Sequence, residues 1–298
     1  MHQREENGLN LKETKDLLSR YRIHPTKSLG QNFLIDEPMQ SRILEEIDLC
    51  TTDLVIEIGP GAGVLSGAIA GRCAKLILVE IDRQLIPLLE ERFAEDGNTV
   101  IMNADALEVD YRELVRRNLE GLPPETKVKV VSNLPYYITT PLITRLICEI
   151  PECDRFVFTL QEEAAARIMS QPDTSDYCVL SVLSQYLYDL TVAAHIPASC
   201  FYPQPNVESV VMRMQSIPGA RLTSKEIRDF EKFIKAAYGQ RRKTLSNSLA
   251  SSYHLAGGKE SVENALAIEG LSKAARAQEL SPEVFRSVYL RLKGSSDL

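Results

Sequence analysis

The sequence predicts an α/β fold followed by a smaller region made only of helices. Short apolar runs of strand length alternate with helical patterns along most of the chain, which is typical of a parallel sheet covered by helices. One such run, Leu54–Ile58, leads directly into a glycine-rich turn at residues 59–63 and then into a helical stretch. From Ser224 onward the periodicity is helical. We therefore expect a Rossmann-like sheet and a small all-helical C-terminal domain.

The bulk composition is that of an ordinary globular protein. The 298 residues are 44% hydrophobic and 25% charged, and they suffice for one large and one small domain. No apolar run approaches the roughly 18 residues that span a bilayer, and the polar N-terminus lacks the apolar region of a signal peptide. The six cysteines are scattered without a CxxC pair, which favours reduced thiols over disulfides or a zinc site. We expect a cytoplasmic protein without a bound metal.

Charge is distributed unevenly along the chain. The formal net charge is −7, which argues against a generally cationic nucleic-acid-binding protein. From Gly219 to the C-terminus there are 14 Lys and Arg against 9 Asp and Glu, a net of +5, so the preceding residues carry −12. We place the domain boundary at this point, giving domains of residues 1–217 and 218–298. The basic C-terminal domain is expected to meet a polyanion, although such a surplus also occurs on ordinary surfaces.

The remaining elements follow from periodicity and from end signals. The predicted strands are residues 54–58, 75–79, 99–102, 128–131, 155–160, 191–194 and 207–214. The predicted helices are residues 39–49, 64–72, 83–93, 141–150, 161–170, 180–190 and 282–292. Pro87 is expected to need local accommodation inside its helix. The last two strands are expected to pair at the sheet edge, and residues 27–34 to form an ordered loop.

The glycine-rich turn indicates the class of ligand. A dinucleotide-binding fingerprint has glycines at its first, third and sixth positions, but the sixth position counted from Gly59 is Val64. The sequence also contains no P-loop motif. Glycines at positions 59, 61 and 63 after an acidic strand end are the pattern of S-adenosylmethionine sites, and Gly59 and Gly61 would let the ligand approach the backbone closely. The alternative is a tight turn without a ligand.

Two acidic residues at later strand ends extend this candidate site. Glu80 lies about 20 positions after the first glycine, where a carboxylate can accept hydrogen bonds from the ribose hydroxyls of an adenosine. Asp105 follows the next strand and can accept a hydrogen bond from the adenine amino group. The alternatives are a solvated strand end for Glu80 and a helix N-cap for Asp105.

The tetrapeptide Asn133-Leu134-Pro135-Tyr136 is the candidate catalytic motif. It follows the predicted strand at residues 128–131, which Pro135 is expected to end. The Asn133 amide and the Leu134 carbonyl can both accept hydrogen bonds from an exocyclic amine, and the Tyr136 ring can stack on a base. Open α/β sheets bind ligands at the carboxyl ends of their strands. The alternative is a Pro-Tyr turn with a capping asparagine.

Aromatic and basic segments add candidate contacts to a nucleic acid. Phe201 and Tyr202 precede two prolines in a stiff loop, which would hold a ring either to stack on a base or to fill the core. Lys27 and the basic residues just before it can meet phosphates, as can the cluster Arg241-Arg242-Lys243. The alternative for both basic segments is a solvated surface.

Seven motifs, taken in order, resemble those of the bacterial small-subunit ribosomal RNA adenine dimethyltransferase family. They are KSLGQNFL (27–34), EIGPG (57–61), EID (80–82), DAL (105–107), NLPY (133–136), FYPQPNV (201–207) and QRRKTL (240–245). The resemblance covers almost the whole chain from about residue 20. It implies a methyltransferase domain, a helical RNA-binding domain and S-adenosylmethionine as cofactor.

The same resemblance implies the reaction and the partner. The reaction would be N6,N6-dimethylation of two adjacent adenines in a hairpin near the 3′ end of 16S rRNA, during late assembly of the 30S subunit. The partner would be 16S rRNA or an immature 30S particle, bound by a monomer, without a DNA or membrane partner. Three alternatives stay open: a 23S rRNA adenine methyltransferase, a ribosome-assembly RNA-binding factor with incidental activity, and an NAD dehydrogenase, which Val64 disfavours.

The resemblance also carries residue roles onto this chain. The implied cofactor contacts are Asn32, Leu34, Gly59, Glu80, Asp105 and Asn133. Together with the motif analysis, it assigns catalysis to Asn133, Leu134, Tyr136 and Phe201. RNA binding is assigned to Lys27, Arg241, Arg242 and Lys243.

Overall fold

The computed structural model describes residues 10–219, 222–240, 242–252 and 258–294. The strands are β1 (Phe33–Leu34), β2 (Leu54–Ile58), β3 (Lys75–Glu80), β4 (Thr99–Asn103), β5 (Val128–Asn133), β6 (Cys153–Gln161), β7 (Tyr188–Ile196), β8 (Phe201–Tyr202) and β9 (Ser209–Ser216). The α-helices are α1 (Leu11–Arg20), α2 (Glu37–Ile47), α3 (Val64–Ile69), α4 (Ile86–Arg92), α5 (Tyr111–Leu119), α6 (Thr139–Glu149), α7 (Glu162–Ile168), α8 (Val179–Leu187), α9 (Ser224–Tyr238), α10 (Leu245–Ser252), α11 (Gly258–Ile268) and α12 (Pro282–Gly294). The predicted α/β fold with a helical C-terminal region is confirmed.

The main sheet has the strand order β4-β3-β2-β5-β6-β9-β7. Strands β4, β3, β2, β5 and β6 are parallel to their neighbours, whereas β9 runs antiparallel to β6. As predicted, the two late strands are neighbours at one edge. The chain moves outward from β2 to β4 and then returns to β5 on the other side of β2. The carboxyl ends of β2 and β5 therefore border the switch point at which such sheets bind ligands.

Strand β2 lies where the sequence places it because its residues suit the centre of a parallel sheet. All five side chains are buried, as expected for a strand covered by helices on both faces. Four are aliphatic and the fifth is Glu57, whose carboxyl group lies just before the glycine-rich turn. A buried carboxyl group in an apolar strand costs free energy unless it serves a partner or a ligand.

Helices α1, α2, α5 and α9 begin at side chains that cap them. Asp36 caps α2 by accepting a hydrogen bond from the Met39 N–H (3.0 Å), so this helix starts two residues before its predicted position. Pro87 occupies the second position of α4, where no backbone donor is required, and the expected local accommodation is not needed. Helix α5 was not predicted, because four of its nine residues are charged and its cap, Asp110, follows an irregular stretch.

The segment at residues 27–34 is more ordered than the predicted loop. A single 3-10 turn at Lys27–Leu29 leads into β1, which pairs antiparallel with β8. Phe33 lies opposite Tyr202, and Leu34 lies opposite Phe201. The pairing partner is far away in the sequence, so local periodicity does not reveal these two short strands.

The chain forms two compact units, each with its own hydrophobic core. One contains the chain up to Ala165 together with Asp189–Ser216, and the other contains Ala166–Tyr188 together with the chain from Ile217. The core of the second unit joins α8 to the C-terminal helices, with the Tyr289 ring in contact with the rings of Phe230 and Phe233. Helix α8 thus packs with the C-terminal helices, although it precedes β7. The functional division at residues 217 and 218 stays a prediction.

Two kinds of feature are absent from the described ranges. No helix there combines the length and the apolar character needed to traverse a bilayer. No three His, Cys, Asp or Glu side chains in these ranges lie close enough to share a metal ion.

Candidate active site

A pocket opens at the carboxyl ends of β2, β3 and β5. It is lined by residues 29–34, by the glycine-rich turn with the start of α3, by the end of β3, and by the Asn133-Leu134-Pro135-Tyr136 motif. The residues are Leu29, Gly30, Gln31, Asn32, Phe33, Leu34, Glu57, Gly59, Pro60, Gly61, Val64, Leu65, Glu80, Ile81, Asn133, Leu134, Pro135 and Tyr136. The fold therefore brings four of the seven sequence motifs into one pocket.

The glycine-rich turn forms one wall because its backbone is left-handed at Gly59 (φ 69°) and Gly61 (φ 58°). A Cβ atom added at Gly61 would lie only 3.0 Å from the Phe33 ring, so space as well as conformation requires glycine there. At Gly59 the nearest atom to such a Cβ would be the Asn133 carbonyl oxygen, at 4.0 Å. Because neither glycine carries a side chain, a ligand can approach the backbone of the turn closely.

Glu80 is held rigidly at the end of β3. Its Oε2 accepts a hydrogen bond from the Gly61 N–H (3.1 Å), and its Oε1 accepts one from the Asp82 N–H (2.9 Å). Burial raises the pKa of Glu80, and the two backbone donors oppose that shift. Each carboxylate oxygen has two acceptor sites, so capacity for further donors remains. This arrangement suits a ligand that brings hydroxyl groups.

Glu57 is a site residue that the sequence reasoning did not select. It is fully buried, and its Oε2 accepts a hydrogen bond from the Ser66 hydroxyl (2.5 Å). Burial raises the pKa of Glu57 to about 7, against the effect of the Ser66 hydroxyl. The available signal was an acidic residue in an otherwise aliphatic strand, directly before the turn.

Asn133 joins the end of β5 to the segment before β1. Its Nδ2 donates a hydrogen bond to the Asn32 carbonyl oxygen at 2.7 Å, and the Asn32 amide in turn donates to the Gly30 carbonyl at 3.1 Å. Because a carbonyl only accepts, the Asn133 amide must present its NH₂ group to Asn32. Its side-chain oxygen is the atom left to accept a hydrogen bond from a ligand.

The next residues of the motif present a second acceptor and an aromatic ring. The Leu134 N–H donates to the Thr159 carbonyl (2.9 Å) and its side chain is buried, which fixes the backbone at this point. Within the described ranges, no protein group donates a hydrogen bond to the Leu134 carbonyl. The half-buried Tyr136 lies in the 3-10 turn that follows, with its hydroxyl 3.4 Å from the Ser209 hydroxyl. Two oxygen acceptors and a ring therefore lie within four residues.

Not all predicted residues line this pocket. Phe201 is buried in the core beside Leu34, and its role as a stacking ring stays a prediction. Asp105 is exposed and accepts a hydrogen bond from the Leu107 N–H (2.8 Å), so it caps a turn, whereas Asp110 caps the following helix. Its contact with adenine stays a prediction.

The predicted RNA contacts lie on the surface. Lys27, Arg242 and Lys243 are exposed. Arg241 lies outside the described residues. Their contacts with RNA stay predictions.

Gln31 is a second residue that the sequence reasoning did not select. Its amide donates to Asp82 Oδ2 (2.7 Å), while its oxygen accepts from the Thr26 N–H (2.8 Å). These bonds tie the segment before β1 to the end of β3. No local pattern signals them, because the two segments are distant in the sequence.

The charges of the pocket select among ligands. Neither Glu57 nor Glu80 forms a salt bridge with a described residue, and the charge of Arg92 lowers the pKa of Glu57 less than burial raises it, so two buried carboxyl groups line the pocket without a paired cation. This environment disfavours the pyrophosphate of a dinucleotide and favours a cationic ligand with ribose hydroxyls. S-adenosylmethionine has a sulfonium, an ammonium and an adenosine, and it fits these residues. The fold and the pocket therefore define a Rossmann-like methyltransferase.

Comparison with known proteins gives the same class and narrows it. Residues 24–293 match the family described as Ribosomal RNA adenine dimethylase. The chain belongs to this family, and it is therefore a methyltransferase that uses S-adenosylmethionine to dimethylate adenine in ribosomal RNA.

Relatives and solved structures agree with this membership. The Ribosomal RNA small subunit methyltransferase A of Alkaliphilus metalliredigens is 38% identical over 276 residues, covering 93% of this chain and 94% of the relative. The protein of the same name from Pelotomaculum thermopropionicum is 40% identical, covering 92% and 93%. A dimethyladenosine transferase from Plasmodium falciparum has the same fold, with a TM-score of 0.68 at 20% identity and coverage of 88% and 97%. The 23S rRNA methyltransferase ErmE has a TM-score of 0.61 at 26% identity, covering 88% and 100%.

Proposed function

We propose that this protein dimethylates N6 of two adjacent adenines in the 3′-terminal hairpin of 16S rRNA, during assembly of the 30S subunit in the cytoplasm. The small-subunit specificity is supported by the names of the relatives, which match along nearly their whole length. The adenine chemistry is supported by the pocket. The observation that carries the proposal is the orientation of the Asn133 amide.

The Asn133 oxygen and the Leu134 carbonyl are two acceptors for the two hydrogens of an adenine N6 amine. The N6 lone pair is normally delocalised into the ring, which makes this nitrogen a poor nucleophile. Hydrogen bonds to two fixed acceptors favour a pyramidal nitrogen and direct its lone pair towards the methyl donor. Positioning of this kind can supply several kcal/mol of the activation barrier.

The remaining chemistry requires little from the protein. When bound, S-adenosylmethionine supplies an electrophilic methyl group on its sulfonium. Glu80 would accept hydrogen bonds from the ribose hydroxyls, and the backbone of the turn at Gly59 and Gly61 would lie against this ligand. Glu57 would offset its positive charge. No residue needs to act as a general base, because the N6 proton becomes acidic once the methyl group has been transferred. Asn133 orients the nucleophile and does not remove its proton.

The target adenine must leave its stack to enter the pocket. Stacking on an aromatic side chain offsets that cost by roughly 1–3 kcal/mol per ring. Tyr136 lines the pocket and is the first candidate for this contact. Phe201 is the second candidate, and its buried ring would have to become accessible when the base enters.

RNA outside the pocket is proposed to contact basic side chains. Lys27 is exposed, and Arg242 and Lys243 belong to the C-terminal region that carries a net charge of +5. Arg241 completes the same cluster in the sequence. We further propose a monomer that acts on 16S rRNA or an immature 30S particle, with neither DNA nor a membrane as partner, and a C-terminal RNA-binding domain from residue 218.

A methyl-transfer assay tests this proposal. Purified protein and labelled S-adenosylmethionine are incubated separately with 16S rRNA, 23S rRNA and immature 30S particles, and N6,N6-dimethyladenosine is quantified by mass spectrometry. We expect dimethyladenosine at two adjacent positions in the 16S hairpin and none in 23S rRNA. Preferential methylation of 23S rRNA, or binding of NAD in place of S-adenosylhomocysteine, would contradict the proposal.

A further inference from the structure

A second cleft, separate from the pocket, lies between α1, the segment that follows it, and Tyr202. It has a volume of about 440 Å³, within the usual range of small-molecule sites. Its lining is Lys15, Leu18, Ser19, Arg22, Ile23, His24, Pro25 and Tyr202. This set of described residues contains three basic side chains, one aromatic ring and no acidic group. The composition suits a phosphate attached to a planar base.

The cation and the ring of this cleft are already close together. The Lys15 ammonium lies 4.8 Å from the centre of the Tyr202 ring, and Lys15 is exposed while Tyr202 is half-buried. The long lysine side chain can move from the ring to a phosphate, which leaves the ring face for a base. By contrast, Arg20 on the same helix is held by Glu91 at 2.6 Å and is not part of the lining.

Arg22 occupies a position that normally favours glycine. Its φ of 56° is left-handed, and it follows the end of α1, where the Arg22 N–H donates to the Ser19 carbonyl (3.0 Å) and the Ile23 N–H donates to the Leu18 carbonyl (2.8 Å). These two bonds are the Schellman pattern, in which the left-handed residue is usually glycine because a Cβ is strained there. An exposed arginine at this position retains a cation at the expense of local stability.

The cleft and the pocket share a structural element. Tyr202 in β8 lies opposite Phe33 in β1, and Phe33 lines the pocket beside Gly61. The pairing of β1 with β8 therefore joins one wall of the cleft to one wall of the pocket.

We propose that Lys15, Arg22 and Tyr202 form a subsite for the nucleotide next to the target adenine, with the two cations on its phosphates and the tyrosine ring against its base. This inference rests on the proposed function, because it assumes an RNA substrate. It adds two cations, Lys15 and Arg22, that precede the sequence motifs, and it positions the strand at the pocket entrance.

The test measures binding of a hairpin RNA with an unpaired adenine loop, and of a fully paired duplex of equal length, as a function of salt. Arg22→Gly should bind the hairpin several-fold more weakly and reduce the slope of log K against log salt by about 0.7. Its thermal midpoint should equal or exceed that of the wild type, since glycine relieves the strain. Lys15→Ala should reduce the slope similarly, and Lys12→Ala, exposed on the same helix but outside the cleft, is the matched control.

Variants of Tyr202 separate the contribution of base stacking from that of electrostatic attraction to RNA. Tyr202→Leu should weaken hairpin binding by roughly 5- to 100-fold with little effect on the duplex, and Tyr202→Phe should restore it. The subsite is overturned if Arg22→Gly and Lys15→Ala match Lys12→Ala, or if Tyr202→Leu binds like the wild type. Methyl transfer by the wild-type protein is measured on the same preparations. Failure of that reaction would overturn the proposed function, while the binding arms still report on the cleft.

Discussion

The two ends of the parallel sheet treat buried charge in opposite ways. At the amino end, Asp53 and Lys129 are 1% and 3% exposed and form a salt bridge at 2.7 Å. Asp53 also accepts a hydrogen bond from the Cys50 N–H, and Lys129 donates to the Asp48 carbonyl. At the carboxyl end, Glu57 and Glu80 are just as buried but receive only hydroxyl and backbone donors.

This difference separates a structural charge from a functional one. The charges of Asp53 and Lys129 neutralise each other, so removing either partner should lower the stability of the fold without changing catalysis. No salt bridge among the described residues neutralises the carboxyl-end groups, and the charge of Arg92 offsets only part of the effect of burial on Glu57. Both groups are therefore stabilised most when a cationic ligand enters. Burial alone does not distinguish a structural from a functional charge, whereas the presence or absence of an oppositely charged hydrogen-bond partner does.

The largest expected effect is at the amino end of the sheet, where Asp53 and Lys129 pair. Asp53→Ala leaves the buried Lys129 ammonium without its partner and should lower the free energy of unfolding by about 3–5 kcal/mol. Denaturant unfolding measures this loss. The double variant Asp53→Leu with Lys129→Met should recover most of it, and turnover per folded molecule should stay unchanged in both. A large loss of turnover in folded protein would mean that the pair contributes to the site.

At the carboxyl end of the sheet, Glu57 should make the free energy of unfolding depend on pH. Because the pKa of this carboxyl is about 7 when folded and near 4.5 when unfolded, the folded state binds more protons between these values. Stability therefore falls as pH rises through this window, by about 3 kcal/mol at most. Glu57→Gln should remove that part of the dependence and be more stable than the wild type at pH 8, with the gap closing towards pH 5. Glu90→Gln, on the exposed side of α4, is the control and should leave the profile unchanged.

Glu80 should affect the ligand more than the fold. Glu80→Ala removes an acceptor for the ribose hydroxyls and should weaken S-adenosylmethionine binding by about 1.5–3 kcal/mol, the usual value for hydrogen bonds to a charged group. Calorimetry on the variant measures this change, and its unfolding transition shows whether the fold is retained. An unchanged affinity in folded protein would remove Glu80 from the site.

The smallest effect is expected on the surface, where charges are solvated. Replacing Arg242 and Lys243 with alanine should reduce the slope of log K for RNA against log salt by roughly 0.7–0.9 per lost phosphate contact. Lys225→Ala with Lys232→Ala, two cations earlier in the same region, provides a charge-matched control. If both double variants change the slope equally, the cluster acts only through overall charge.

Sequence reasoning succeeded where the signal is local. The strand at Leu54–Ile58, its glycine-rich turn and the Asn133 motif were predicted because each depends on adjacent residues with distinctive conformational needs. It did not predict the pairing of β1 with β8 or the bond from Gln31 to Asp82, because both depend on segments brought together only by the tertiary fold. The burial that raises the pKa of Glu57 is likewise a property of the packed sheet. The burial of Phe201 follows from the same long-range pairing.

The central claim is that acceptors left open at the carboxyl end serve the substrate, and Asn133 tests it most directly. In Asn133→Ala the oxygen that orients N6 is lost, and the rate of methyl transfer should fall by about 10²–10³. RNA affinity should barely change, because phosphate contacts dominate it. Asn118→Ala is the control, since that amide also donates to a backbone carbonyl at 2.7 Å but lies on α5, outside the pocket. Single-turnover methyl transfer with saturating RNA and S-adenosylmethionine should show the loss only for Asn133→Ala. Wild-type turnover in that variant, or a loss explained entirely by unfolding, would make Asn133 a structural cap and contradict the account.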